Sequence, residues 1–197
     1  MFLSRYHVIL NLFETNLIKI IFYRNLFHNV IGFGTKDFIP HTSWSLLSKL
    51  LFKHFINRLP LKDALRILLN EESNLGTHTD IFVYYARSGA NAWSLVRYTW
   101  AQSFSRPFTI HKPLQCPGCG RMPGSITYNC KKSPDQSSVV VHFKCGAKTC
   151  DWQQQKFASK AIIDMKDHRS IMDKVGKAWA ANNGQWCFEE MKPVTSF

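Results

Sequence analysis

The sequence predicts an α+β or partial α/β fold: a helical and αβ N-terminal region, then a small antiparallel β-ribbon and a C-terminal helix. Three observations carry this reading. Apolar residues recur at three-four spacing between Ser43 and Leu68, apolar and polar residues alternate on both sides of a Pro134-Asp135 turn, and two cysteine pairs flank that alternating stretch.

Residues 1–35 are dominated by Ile, Leu, Phe, Asn, Lys, Tyr and His and lack clean helical or strand periodicity. They read as irregular. One account makes them read-through of AT-rich sequence or the remnant of a truncated domain; the other makes them an irregular but buried first element. Ser43 is placed to cap a helix whose apolar face is Trp44, Leu47, Leu50, Leu51 and Phe55, and Pro60 stops it. A second helix shows Leu61, Ala64, Leu65 and Leu68 on one face, and Asn74 and Gly76 mark a turn. Asp80 to Ala86, short and rich in aromatics, reads as a buried strand. After Ser88-Gly89, a third helix is expected with Ala92, Trp93, Val96, Trp100 and Phe104 along one side. One strand is too few for a sheet, so residues 36–110 read as an incomplete α/β layer structure.

Pro107 and Pro113 suggest a linker into a second region, residues 114–197. There Ser125–Lys132 and Ser137–Lys144 form a hairpin; Ile126, Tyr128 and Cys130 give the first strand an apolar face, and Val139, Val141 and Phe143 give the second strand one. Trp152 to Phe157 is a candidate third strand. Residues 168–181 read as a helix with Ile171, Met172, Val175 and Trp179 inward, ended by Asn183-Gly184.

The chain has 197 residues, a formal charge of +12 and a 45% hydrophobic content. Its pI is about 9.6. Such a charge points to an anionic partner, nucleic acid or an acidic membrane surface, or else serves solubility alone. Arg5, Asn11, Glu14, Asn16, Lys19 and Arg24 interrupt every early apolar run, against a signal peptide or a transmembrane segment. An intracellular setting, nucleus or cytoplasm, is expected, and there paired cysteines usually mean metal.

Cys116-Pro-Gly-Cys119-Gly120 is a CxxC in a turn, where two thiolates can share one ion. Cys145 and Cys150 have four intervening residues, within the range for ligand pairs. Folding the hairpin brings both pairs to one end, predicting a closed, structural zinc site with four cysteine ligands. A redox role would need a helix immediately after the first pair, which Pro117 and Gly118 oppose. Cys130 and Cys187 read as small buried hydrophobes. His111 and His142 are possible substitutes for a cysteine ligand, but four placed cysteines leave them no vacancy.

At these residues, over roughly 114–157, the chain resembles the zinc-ribbon class: a CPxCG knuckle, a hairpin, a second knuckle and a following aromatic, Trp152. The longer second knuckle departs from the usual pattern. The resemblance implies a binding module, commonly in nucleic-acid-handling proteins. Leu59 to Tyr85 looks loosely like the end of caspase-like or CHAT-type α/β domains, which would lack their His and Cys motifs here. Ser94 through Gly120 resembles uncharacterised fungal orphan proteins.

No Walker loop, GxSxG, HExxH or dinucleotide fingerprint is present, so the expectation is a non-enzymatic protein. Arg87-Ser88-Gly89 offers amides to an anion but reads better as a plain turn, and nothing local supports a His78–Cys187 dyad. Arg121, Lys131, Lys132, Lys144 and Lys148 surround the ribbon, with Tyr128 and Trp152 as possible stacking groups. That set suits DNA or RNA; its bland alternative is a solvated basic face with Trp152 as a core anchor. A protein-interaction module and an inactive cysteine-peptidase-like remnant are the competing readings.

Overall fold

The computed structural model describes residues 6–11, 27–34, 40–86, 93–175 and 184–194. They form two compact units, one of residues up to Thr99 together with those from Phe188 onward, the other from Trp100 to Cys187.

In the first unit, strands β1 (Tyr6–Asn11) and β2 (Phe27–Phe33) pair in parallel. β2 then pairs antiparallel with β3 (Ile81–Ala86), and β3 with β4 (Trp93–Ala101). β9 (Gln185–Val194) follows β4 in the strand order. The expectation of irregular structure over residues 1–35 is thus corrected at two places. Val30, Ile31 and Phe33 of β2 are buried, and its backbone is paired on both sides. A run such as Val30–Phe33 lacks alternation because a strand covered on both faces needs none.

The expected third helix is also corrected: Trp93–Ala101 is strand β4. The i+4 spacing of Ala92, Val96 and Trp100 fits one face of a strand as well as one face of a helix, so that signal alone cannot choose. Trp, Val, Tyr and Thr are compatible with a pleated, buried surface, and pairing with β3 makes the segment a strand. Leu95, Val96, Tyr98 and Thr99 are all buried.

Helix α1 (Pro40–Leu51) continues as a π-helical turn over Phe52–Ile56. Ser43 lies inside α1 and is buried, so it does not cap it. Pro40, at the first helical position, lacks one of the N–H groups that would otherwise need an acceptor, and it presets φ. The buried face is Ser43, Leu46 and Leu50, whereas Trp44 is 72% and Leu51 58% exposed. The predicted apolar face is therefore rotated from the one the fold uses. α2 (Leu61–Leu69) follows expectation, with Leu61, Ala64, Leu65, Leu68 and Leu69 buried. The expected turn at Asn74 and Gly76 is a short helix, α3 (Ser73–His78), held by buried Leu75. Among the described residues no helix is long and apolar enough to cross a membrane.

Inside the same unit Asp80 accepts hydrogen bonds from Arg97 Nε at 3.0 Å, Arg97 Nη2 at 2.7 Å and Thr99 Oγ1 at 2.8 Å. A carboxylate that is largely withdrawn from water needs such donors.

The second unit centres on a three-stranded antiparallel sheet of β5 (Ile126–Lys132), β6 (Ser138–Cys145) and β7 (Gln153–Ser159). All three strands are legible in the sequence, β7 to within two residues. Asp135 closes the β5–β6 turn, accepting from Ser133 Oγ at 2.6 Å and the Ser137 amide at 3.1 Å. These donors hold its carboxyl at about 2, below the usual range. Ile126, Val139, Val141, Phe143 and Ala158 share one core with Phe108, Ile162, Ile171 and Met172. The expected linker is a packed segment: Pro107, Phe108 and Thr109 are buried.

The helix expected over 168–181 is not formed over its described part. Ile171–Lys174 is a single 3-10 turn, with Ser170 Oγ accepting from the Met172 amide, and residues 176–183 lie outside those described. Ile171 and Met172 satisfy the core from that one turn. Gly184 sits at φ +68°, where a Cβ would come within 2.2 Å of the Trp100 ring, so it marks a close approach before β9; the expected helix stop at Asn183-Gly184 falls where residues 176–183 lie outside those described. The short β8 (Ile163–Asp164) precedes Met165, whose amide donates to the Trp186 carbonyl at 3.0 Å.

Candidate metal centre

Each cysteine pair enters the site on a tight backbone turn. In the first, the Gly120 amide donates to the Cys116 carbonyl at 2.7 Å and the Cys116 amide to the Arg121 carbonyl at 2.8 Å. Gly120 has φ +70°, the left-handed region that glycine enters without a Cβ clash. In the second, the Cys150 amide donates to the Ala147 carbonyl at 3.1 Å and the Cys145 amide to the Trp152 carbonyl at 3.2 Å. Ile126 pairs with Cys145 in register, so the hairpin itself sets the second turn beside the first.

The turns meet. Ligand atoms of Cys116, Cys119, Cys145 and Cys150 all lie within 4.8 Å of one another. Cys116 Sγ is 3.6 Å from Cys150 Sγ, and Cys119 Sγ is 3.7 Å from Cys145 Sγ. Four sulfurs about 2.3 Å from a shared ion in a tetrahedron stand about 3.8 Å apart, so these separations fit one ion. They do not fit disulfides, whose sulfurs are about 2.05 Å apart. All six cysteines are free thiols.

Backbone amides serve the sulfurs with a repeated offset. Gly118 bonds Cys116, Ala147 bonds Cys145 and Trp152 bonds Cys150, each two residues on. Such N–H···S bonds orient ligands and spread thiolate charge. Desolvation opposes ionisation of Cys116, but the Gly118 and Cys119 amides and the neighbouring thiols outweigh it and bring its pKa to about 7. The Trp152 amide favours the Cys150 thiolate, yet desolvation and the three surrounding sulfurs push it up to about 12. Crowded thiols cannot all ionise together unaided; a divalent cation among them removes that repulsion.

The fit between the turns depends on a small residue. A Cβ on Gly118 would lie 2.9 Å from Trp152 Cβ and 3.1 Å from Cys150 Sγ. Trp152 is half-buried and packs against the core that also contains Cys116 and Cys145. Cys130 lies partly buried at the same core, and Cys187 is fully buried. Burial pushes the Cys187 thiol up, the opposite of an activated nucleophile, and His78 is exposed at the end of α3. Arg87-Ser88-Gly89 lies outside the described residues.

The basic residues divide by position. Lys131 and Lys144 line one shallow concavity on the sheet. Lys132 is exposed at the end of β5, paired with Val139, while Arg121 and Lys148 are exposed on the two cysteine turns. His142 faces the same concavity and not the sulfurs; its Nε2 has no hydrogen-bond partner. Sequence reasoning places Phe157 in a strand and gives it no role, yet it stands 63% exposed on β7. Its register opposite Val140 is readable once the third strand is assigned. Comparison with known proteins finds no matching family model, curated protein or solved structure.

Proposed function

We propose that this chain is a zinc-binding, non-enzymatic module: one Zn2+ held by Cys116, Cys119, Cys145 and Cys150 in a zinc-ribbon, whose basic ribbon binds DNA or RNA. The observation that carries the reading is the four-sulfur cluster, with its two separations near a tetrahedral edge. Four thiolates complete the shell, which makes the ion structural and leaves no open position for substrate.

The nucleic-acid part rests on charge. Residues 115–160 contain seven Lys or Arg and two Asp or Glu. One of those acids, Asp135, is engaged in closing the hairpin turn. Titration of labelled single- and double-stranded DNA and RNA at rising salt tests it. Affinity should fall as salt rises, since each neutralised phosphate releases counterions. Absence of binding at low ionic strength removes the nucleic-acid reading and leaves the metal site.

A protein-interaction role is the second reading, and one observation favours it. Trp44, Leu51, Phe52 and Ile56 are exposed along α1 and the π-helical turn after it, an apolar stripe of the kind that marks contact surfaces.

A further inference from the structure

The β5–β6–β7 sheet has two unlike faces. One packs on the core through Ile126, Phe143, Val141 and Ala158. The strand register builds the other from three cross-strand rows: Thr127–Lys144–Gln153, Asn129–His142–Gln155 and Lys131–Val140–Phe157. None of these residues is acidic, and β5, β6 and β7 contain no Asp or Glu at all. A concavity of about 450 Å³ opens on this face, lined by Thr127, Asn129, Lys131, His142, Lys144 and Gln153.

Three features of this face point to one kind of occupant. Two lysines from neighbouring strands put positive charge on opposite ends of the concavity, as a chain of phosphates requires. Amide, hydroxyl and imidazole groups between them offer donors and acceptors, and the His142 Nε2 is buried beneath the concavity without a partner within the protein. Phe157 presents an exposed aromatic ring on the same face as the two lysines, in the row of Lys131 and Val140. Cations alone suit any polyanion. An exposed ring beside cations and base-reading groups suits unstacked bases, which a duplex keeps inside.

We propose that this outer sheet face is a platform for single-stranded nucleic acid, with Phe157 stacking a base, Lys131 and Lys144 on the phosphates, and Asn129, His142 and Gln153 on base edges. This rests on the nucleic-acid reading above and moves the stacking role from Trp152, which packs inward, to Phe157. The charge and the ring belong to the same face, so the platform is complete without any other part of the chain.

The test is fluorescence anisotropy with the zinc-loaded full chain, using a labelled single strand of about 12 nucleotides and the matching duplex. Zinc content is checked for every variant. Phe157→Ala should weaken single-strand binding roughly 5- to 150-fold, the range for losing one stacked base. Phe157→Tyr should retain it, and Lys131→Ala with Lys144→Ala should lower both affinity and salt slope. Wild-type binding that is unchanged in Phe157→Ala and in the double lysine variant overturns the platform while leaving the broader reading intact. Duplex binding tighter than single-strand binding overturns the choice of strand, and no binding to either probe overturns both.

Discussion

Cys116 and Cys150 are separated by 34 positions in the chain, and their sulfurs lie 3.6 Å apart. That contact joins the first cysteine turn to the second across the width of the hairpin. Purified under reducing conditions, the protein should contain one zinc per chain by elemental analysis. Cys116→Ser and Cys150→Ser together should abolish it, and Cys187→Ser, altering a buried thiol of the core, should not. Full retention in the double variant would sink the site.

Removing the ion should act locally. The two cysteine turns have few apolar side chains of their own to hold them together, so metal binding supplies much of the free energy that keeps them folded against the hairpin. Chelation should raise hydrogen exchange across residues 114–157 and leave α1 and α2 protected. Unchanged exchange in the ribbon after verified zinc loss counts against a structural role.

Gly118 and Trp152 make a sharper test of the packing. Gly118→Ala forces a Cβ to 2.9 Å from Trp152 Cβ, so the turns must part. We expect a loss of about 1–3 kcal/mol, the usual range for overpacking, seen as a lower melting temperature and easier loss of zinc to a chelator. Gly124→Ala is the control, because nothing lies within 4 Å of its Cβ and its φ is not left-handed. Trp152→Ala should also loosen zinc; a variant that keeps zinc fully but binds single strands poorly would return the stacking role to Trp152.

The two sides of α1 predict opposite outcomes. Leu46→Ala, at a position with no exposure, should cost about 2–5 kcal/mol in urea denaturation. Leu65→Ala, in the fully buried face of α2, should behave the same way. Trp44→Ala, at a residue 72% exposed, should stay within about 0.5 kcal/mol. A large loss from Trp44→Ala would show that the exposed stripe is covered.

Asp80 is bonded by Arg97 through two nitrogens and by Thr99. Asp80→Ala removes the acceptor of all three bonds and leaves a half-buried guanidinium facing Glu189, 3.9 Å from Nη1. Denaturation should show a loss of about 1.5–3 kcal/mol, the range for hydrogen bonds to charged groups. Equal stability of the variant and the parent would mean that Glu189 compensates.

Local chemistry is enough to read the ribbon. A CxxC in a Pro-Gly turn, alternation on either side of Pro134-Asp135 and a second cysteine pair after the return strand each depend on residues a few positions apart. Hairpin register then carries that local information across to the sulfur cluster. The α2 face and β3 are legible for the same reason, since their periodicity and composition agree.

Tertiary structure alone decided the rest. Ala92, Val96 and Trp100 satisfy helical and strand spacing equally, and only pairing with β3 makes the segment a strand. β2 is recognisable only beside β1 and β3, because a strand covered on both faces needs no alternation. On α1, Trp44 and Leu46 are both apolar, and which one turns inward depends on where the rest of the unit lies. The outer face of the ribbon was hidden for a related reason: Lys131, His142 and Phe157 are far apart in sequence, and only strand register sets them on one side of a sheet. Spacing along a chain fixes what a segment can do by itself; burial and pairing, which are relations between distant segments, choose among the options.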